Sequence, residues 1–290
     1  MSPPRLAILT YESPQANLIT GRLLSRHDVV GIVRSDAVVA GKSLAGSASF
    51  LLRRTGLGFV ACKAAEIAQS RVAWWWCGRS GRAPAVRSLP ELARAADVPL
   101  VATREVNAPA TRAAVAAWRP DLLVSVNLNQ RIGEPLRQLA PLGAVNVHGG
   151  LLPRNRGLFP YFWSLANGDT EGGVTVHWVD ARFDTGDVVL QRAYPIMPAD
   201  TIATLAWIGA EVGADLLLHA LARIGDGVTT GTPQDERQAS YGSWPTPVDV
   251  RRLRRRGRRY GSPLEGWRAV LGTNGHERRV ASLPPCPHCG

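Results

Sequence analysis

The feature that most constrains this chain is the run Asp121-Leu-Leu-Val-Ser-Val126, which follows Pro120 and reads as a strand buried on both faces. Such a strand is stable only with cover on each side, the situation of a parallel sheet. The chain around it alternates in the same style. Residues 5–9, 29–33, 99–102 and 143–147 read as short strands, and residues 17–25, 89–96 and 110–118 as helices. Between residues 37 and 88 the pattern is weaker, with helices expected over 44–55 and 61–69. Trp74-Trp75-Trp76 is expected as an apolar knot buried against a helix. Alternating strands and helices predict an α/β fold: an open, doubly wound, mostly parallel sheet. Ligands of such sheets sit beyond the carboxyl ends of the strands, so the residues after Val126 and Val147 are the first place to look.

The second half changes character. An aromatic-rich helix is expected over 158–166. Strands are expected over 173–179 and 188–195, joined by an acid-rich loop, and a long amphipathic helix over 201–224 with Thr201 as N-cap. Beyond about residue 230 the sequence turns to Pro, Gly and Arg with no core periodicity. We therefore expect a catalytic domain over 1–228 and a short Arg-rich appendage over 229–290, in part unstructured.

Composition narrows the function classes. The 290 residues are 45% hydrophobic and 20% charged, which is ordinary for a globular protein. Four cysteines make no disulfide scaffold, so a cytoplasmic location is expected. No stretch reads as the ~18 apolar residues of a spanning helix, and the short apolar run after Arg5 reads as a strand; no membrane partner is expected. The net charge of +11 points towards polyanions. Yet residues 251–290 hold ten arginines against two glutamates, so +8 of that charge lies in the tail. RNA contact by that tail is weighed against a solvated helix end, and the latter is preferred. Cys286-Pro-His-Cys289 looks like half a zinc site, but no second ligand pair accompanies it, and no metal is expected.

Two stretches carry chemistry. In Asn146-Val-His148 the two polar side chains end a strand and point the same way. An amide donor beside an imidazole suits acyl transfer: one group holds a developing oxyanion and the other donates to it or shuttles a proton. In the second stretch, Gly173-Val-Thr-Val-His-Trp-Val-Asp180 runs into Ala-Arg-Phe-Asp184-Thr-Gly-Asp187. Asp184 is a candidate to orient His148. Asp in such a loop is also common turn chemistry, the preferred reading for Asp187.

The order Asn-x-His, Leu-Leu-Pro-Arg-x-x-Gly, an aromatic-rich helix, Gly-Val-Thr-x-His and Asp-x-Gly-Asp resembles the folate-dependent formyltransferase family, with Asp184 36 positions after His148. That family includes methionyl-tRNA, glycinamide ribonucleotide and sugar N-formyltransferases. The resemblance implies a Rossmann-like formyltransferase fold and a catalytic trio of Asn146, His148 and Asp184. It implies 10-formyltetrahydrofolate as donor and no required metal. The donor pocket would be lined by Asn129, Gln130 and Ile132, largely through backbone groups, with Asp180, Arg182 and Phe183 closing the other side. Arg154 and Arg156 are candidates to meet an anionic acceptor, weighed evenly against solvent-facing charge. The preferred acceptor is a small-molecule amine, an amino-sugar nucleotide or an amino-acid-derived amine. Methionyl-tRNA and hydrolysis of the donor are the alternatives. A homo-oligomer is left open.

Overall fold

The computed structural model describes residues 3–262, 264–273 and 276–283. A seven-stranded sheet runs in the order β3-β2-β1-β4-β5-β7-β8. Its strands are β1 (Leu6–Tyr11), β2 (Val29–Ser35), β3 (Leu100–Thr103), β4 (Leu122–Val126), β5 (Ala144–His148), β7 (Glu171–Trp178) and β8 (Val188–Pro195). β1 to β5 are mutually parallel, and the last two strands turn antiparallel. A second, two-stranded sheet joins β6 (Arg156–Gly157) to β9 (Tyr241–Gly242) in parallel. The mostly parallel, doubly wound expectation therefore holds. β4 is buried at all five positions, as its apolar run requires.

Each face of the sheet has its own core. One holds Ile8, Val124 and Val176 with α1 (Pro14–Leu24), α4 (Leu89–Ala95), α7 (Pro160–Asn167) and α8 (Ile202–Gly225). The other holds Leu9, Val33 and Leu123 with α5 (Pro109–Trp118) and α6 (Glu134–Arg137). Local chemistry sets the helix ends. Ser13 caps α1 by accepting from Ala16 N, and Thr201 caps α8 by accepting from Thr204 N. α5 stops at Arg119 in the left-handed region because Pro120 cannot continue a helix. α8 is long and apolar enough to cross a membrane by length and composition, against the sequence expectation. However, 72% of its apolar window is buried within the fold, where it serves as the central core helix.

Two regions depart from expectation. After α2 (Leu44–Thr55), a single helix α3 (Leu57–Ser80) runs through both the expected 61–69 helix and the tryptophan triplet. Trp74 is tied in, donating Nε1–H to Val86 O at 2.7 Å, and the Trp76 ring lies 5.7 Å from that of Trp267, but Trp75 and much of Trp76 are exposed. The boundary is hidden because α3 is apolar on more than one face, so no single stripe stands out. The second departure is the segment after residue 228. It packs onto the domain instead of standing apart. β9 pairs with β6, and α9 (Pro247–Arg255) buries Leu253 in the main core. α10 (Glu265–Leu271) buries Val270 against Ala73 and Cys77 of α3. α11 (His276–Ala281) follows. Cys286 and Cys289 lie outside the described residues.

Candidate active site

β5 carries Asn146 and His148 to the carboxyl end of the sheet, two residues apart and on one side. The antiparallel ladder sets His177 of β7 directly opposite Asn146. Asp184 follows in the loop after β7, with a left-handed backbone (φ 55°). Its carboxylate lies between the two strands' side chains. Oδ2 accepts from Gly157 N at 2.7 Å and faces His148 Nδ1 at 3.6 Å. Oδ1 accepts from Asn146 Nδ2 at 3.4 Å and faces His177 Nε2 at 3.5 Å. The structure thus brings the expected trio together.

His177 is the member that sequence reasoning left out of the site. Its Nδ1 lies 2.8 Å from Trp178 O, a contact that needs the proton on Nδ1. Nε2 is then an acceptor and takes a hydrogen bond from Asn146 Nδ2 at 3.1 Å. The opposite orientation of the Asn146 amide would put its oxygen against the Asp184 carboxylate. His177 and Asp184 together therefore set which way the amide points. Only the strand register could have revealed this, since the two residues are 31 positions apart.

The electrostatics are opposed across the pair. Burial pushes His148 below the ordinary histidine value, against the upward pull of the Asp184 charge and of the Asn155 carbonyl. For Asp184, burial alone would raise the carboxyl. The charge of the neighbouring imidazoles when protonated, His148 and then His177, together with the Gly157 N–H, outweighs it and holds the group well below the usual carboxylate range. His148 Nε2 lies 2.9 Å from Asn155 O, so that nitrogen carries a proton in the neutral ring. The vacant lone pair is on Nδ1, facing Asp184, and a proton arriving there meets a ready counter-charge.

The loop from residue 149 to 157 is fixed by long-range contacts. Asn155 donates its backbone N–H to the distant Ser240 Oγ at 2.8 Å and donates from Nδ2 to Asp169 at 3.1 Å. Gly157 adopts φ 89°, and a Cβ there would run into Gly242 O, so this donor to Asp184 has room only for glycine. Gly186 likewise lies against Trp178 O, where a Cβ has no space.

Arg156 corrects an expectation. It was a candidate to meet an anionic acceptor, but it is 2% exposed and fully engaged within the fold. Its guanidinium donates to Gln234 Oε1 at 2.7 Å and to Glu236 at 2.9 Å. Gln234 in turn donates to Asp184 O at 3.0 Å and Gly186 O at 2.7 Å. Arg156 therefore clamps the loop bearing Asp184. The segment supplying Gln234, Glu236 and Ser240 is part of the site's wall and was not legible in the sequence. Arg154 is exposed, as a ligand-meeting arginine must be.

The expected donor-side residues divide in the same way. Gln130 is buried, donating from Nε2 to Ser35 Oγ (2.8 Å) and Arg104 O (3.1 Å) and accepting from Val106 N. Ile132 lies in the second core. Asn129 binds Ser35 and the carbonyl of Ala37. These side chains tie strand ends together, and what they leave for a ligand is the backbone between them. Across from them, Asp180 accepts from Thr185 Oγ1 at 2.7 Å and from Arg182 N at 2.9 Å, which is turn chemistry. Arg182 and Phe183 are exposed. The two segments do meet: Arg131 donates to Ala181 O and Arg137 to Asp180 O.

Comparison with known proteins places the chain in a family. Residues 77–221, half of the chain, match the family described as formyl transferase. Methionyl-tRNA formyltransferase of Anaeromyxobacter sp. (strain K) is 42% identical over 163 residues, 56% of this chain and 51% of that protein. The chain thus spans about half the length of the curated relatives it matches. Among solved structures, glycinamide ribonucleotide transformylase 1 from Symbiobacterium toebii superposes with a TM-score of 0.52 at 21% identity, covering 77% of this chain and 88% of that one. A sugar N-formyltransferase from Shewanella sp FDAARGOS_354 gives 0.51 at 17% identity, covering 84% and 78%. These two share the fold. With the family match extending over the strands and loop that carry Asn146, His148, His177 and Asp184, the chain belongs to the formyl transferase family.

Proposed function

We propose that this protein moves a formyl group from 10-formyltetrahydrofolate to a primary amine, with Asn146, His148 and Asp184 as the reacting set. The observation that carries the reading is the Asp184 carboxylate, held anionic between two imidazoles and beside the Asn146 amide. In this scheme the amine nitrogen bonds to the formyl carbon, and the carbonyl oxygen becomes an oxyanion that takes one Nδ2–H of Asn146 in place of its 3.4 Å contact with Asp184. Neutral His148 takes the proton lost by the amine, and Asp184 stabilises the imidazolium. The bond from the formyl carbon to the folate nitrogen then breaks, and that nitrogen leaves as tetrahydrofolate with the proton. The backbone between Asn127 and Gly133 and the exposed Arg182 and Phe183 form the donor side.

The order of acceptors changes from the one expected. Methionyl-tRNA ranks first, because the relatives sharing 42% identity are methionyl-tRNA formyltransferases. A small-molecule amine ranks second, since the glycinamide ribonucleotide and sugar enzymes resemble the chain at 21% identity or less. The test is to follow tetrahydrofolate release with methionyl-tRNA, with small amines, and with no acceptor. Release dependent on methionyl-tRNA and lost in His148→Ala supports the reading. Release dependent on a small amine reverses the acceptor order, and rapid release of formate without any amine overturns transfer in favour of hydrolysis.

A further inference from the structure

The helix α3 presents an apolar face to solvent. Between residues 57 and 70, every exposed position of α3 is Leu, Gly, Ala, Cys or Ile; the two charged residues in that stretch, Lys63 and Glu66, are half-buried and pair with each other at 2.7 Å. The exposed face continues through Val72, Trp75 and Trp76. Of the twelve large hydrophobic side chains exposed among the described residues, seven lie on α2 and α3. Its buried face, with Ala73 and Cys77, packs against α10. A surface helix with apolar residues on both faces is the pattern of an element with a second partner.

The rim of this face is basic. Arg53 and Arg54 stand at one end of α3. Arg71 flanks its second half, and Arg79 and Arg82 stand at the other end, over the Trp75 and Trp76 rings at 5.6 and 6.0 Å. Over α2 and α3 there are five basic residues and one acid, the paired Glu66. Next to the α2–α3 corner, Gly56 lies against Pro247, which opens α9. That helix adds exposed Val248 and a groove lined by Arg251, Arg252, Arg255 and Arg256.

Charge decides between occupants. A second copy of this chain laid along α3, in either direction, would set one arginine-bearing end against another. RNA would satisfy the arginines but leave Leu57, Ile67 and Val72 facing a polyanion. An anionic lipid bilayer satisfies both: headgroup phosphates meet the arginines, tryptophans sit at the boundary, and aliphatic side chains enter the acyl region. We propose that the exposed face of α3, rimmed by the arginines of the α2–α3 corner, α9 and residues 71–82, docks on an anionic phospholipid surface. The helix lies in the plane of the interface. This revises the sequence expectation that no membrane is involved, and it stands independently of the reaction.

The test is co-sedimentation of the full chain with vesicles of phosphatidylcholine alone and with about 30% phosphatidylglycerol. The protein should sediment with the anionic vesicles only, and less as salt rises. Val72→Glu/Trp75→Glu, and the uncharged Leu57→Ser/Trp75→Ser, should each weaken binding at least about tenfold at unchanged thermal midpoint. Failure to sediment with anionic vesicles overturns the proposal, as does equal binding by both double variants. So does a dimer in light scattering that Val72→Glu dissolves, or tRNA binding lost in both double variants while vesicle binding is absent.

Discussion

The loop cluster around Asp184 and the exposed face of α3 are opposites. In the first, polar groups are closely partnered: Asp184 alone accepts from Gly157 and Asn146 and faces two imidazoles, and its own carbonyl accepts from Gln234. In the second, large apolar groups stand in water with arginines around them. A partnered polar site is rigid before any ligand arrives, so its chemistry is set by fixed distances. An unpartnered apolar face contributes nothing to the fold and acts only through what it meets. Substitutions in the two regions should therefore move different measurements.

The largest effect belongs to the site. His148→Ala and Asp184→Asn should each lower formyl transfer by roughly 10²–10³ while far-UV circular dichroism stays native; transfer at the ordinary rate would break the contrast. Next comes the segment after residue 228. Leu253→Ala removes a fully buried side chain of α9 from the main core. It should cost about 2–5 kcal/mol, read as a lower urea midpoint at unchanged slope. A change under about 0.5 kcal/mol would mean that α9 is a separable appendage after all.

Arg156→Ala should release the Asp184 loop from Gln234 and Glu236, reducing transfer by up to about 10² through misplacement of the carboxylate, with a lower Tm. A finer effect is titration. Burial holds His148 below the ordinary value while Asp184 pulls it up, so in Asp184→Asn its imidazole should titrate at still lower pH by NMR. For stability, the unfolded chain takes up a proton at His148 that the folded site resists. That contribution is present above the ordinary histidine value of 6.5 and lost as pH falls below it. Asp184, depressed in the fold, contributes above the ordinary 3.8 and loses that contribution as pH falls towards its folded value. A His148 resonance titrating above 6.5 would contradict this ordering. The smallest effect lies on the other side of the comparison. Trp75→Ser should leave both transfer and stability within about 0.5 kcal/mol of the parent, because its side chain is 63% exposed.

What the sequence made legible follows the range of the interactions. The buried run of β4, the Thr201 cap and the shared direction of Asn146 and His148 depend on neighbours a few residues away. Period and capping chemistry report such things. Asp184 was reached through the order of motifs. His177 was not, because its pairing with Asn146 exists only in an antiparallel register. Arg156 looked like a surface arginine since its partners come 78 and 80 residues later. α3 was cut short because residues apolar on both sides of a helix leave no stripe to follow.

The parallel pairing of β6 with β9 has a consequence for synthesis. Asn155 binds Ser240 across 85 positions, and Arg156 is fastened to Gln234 across 78. A nascent chain can therefore assemble the whole seven-stranded sheet, with Asn146 and His148 in place, and still lack the brace on the Asp184 loop. The brace on the Asp184 loop comes only from residues 234–242, so the geometry of the candidate site waits on a stretch of chain that lies far beyond the strands carrying it.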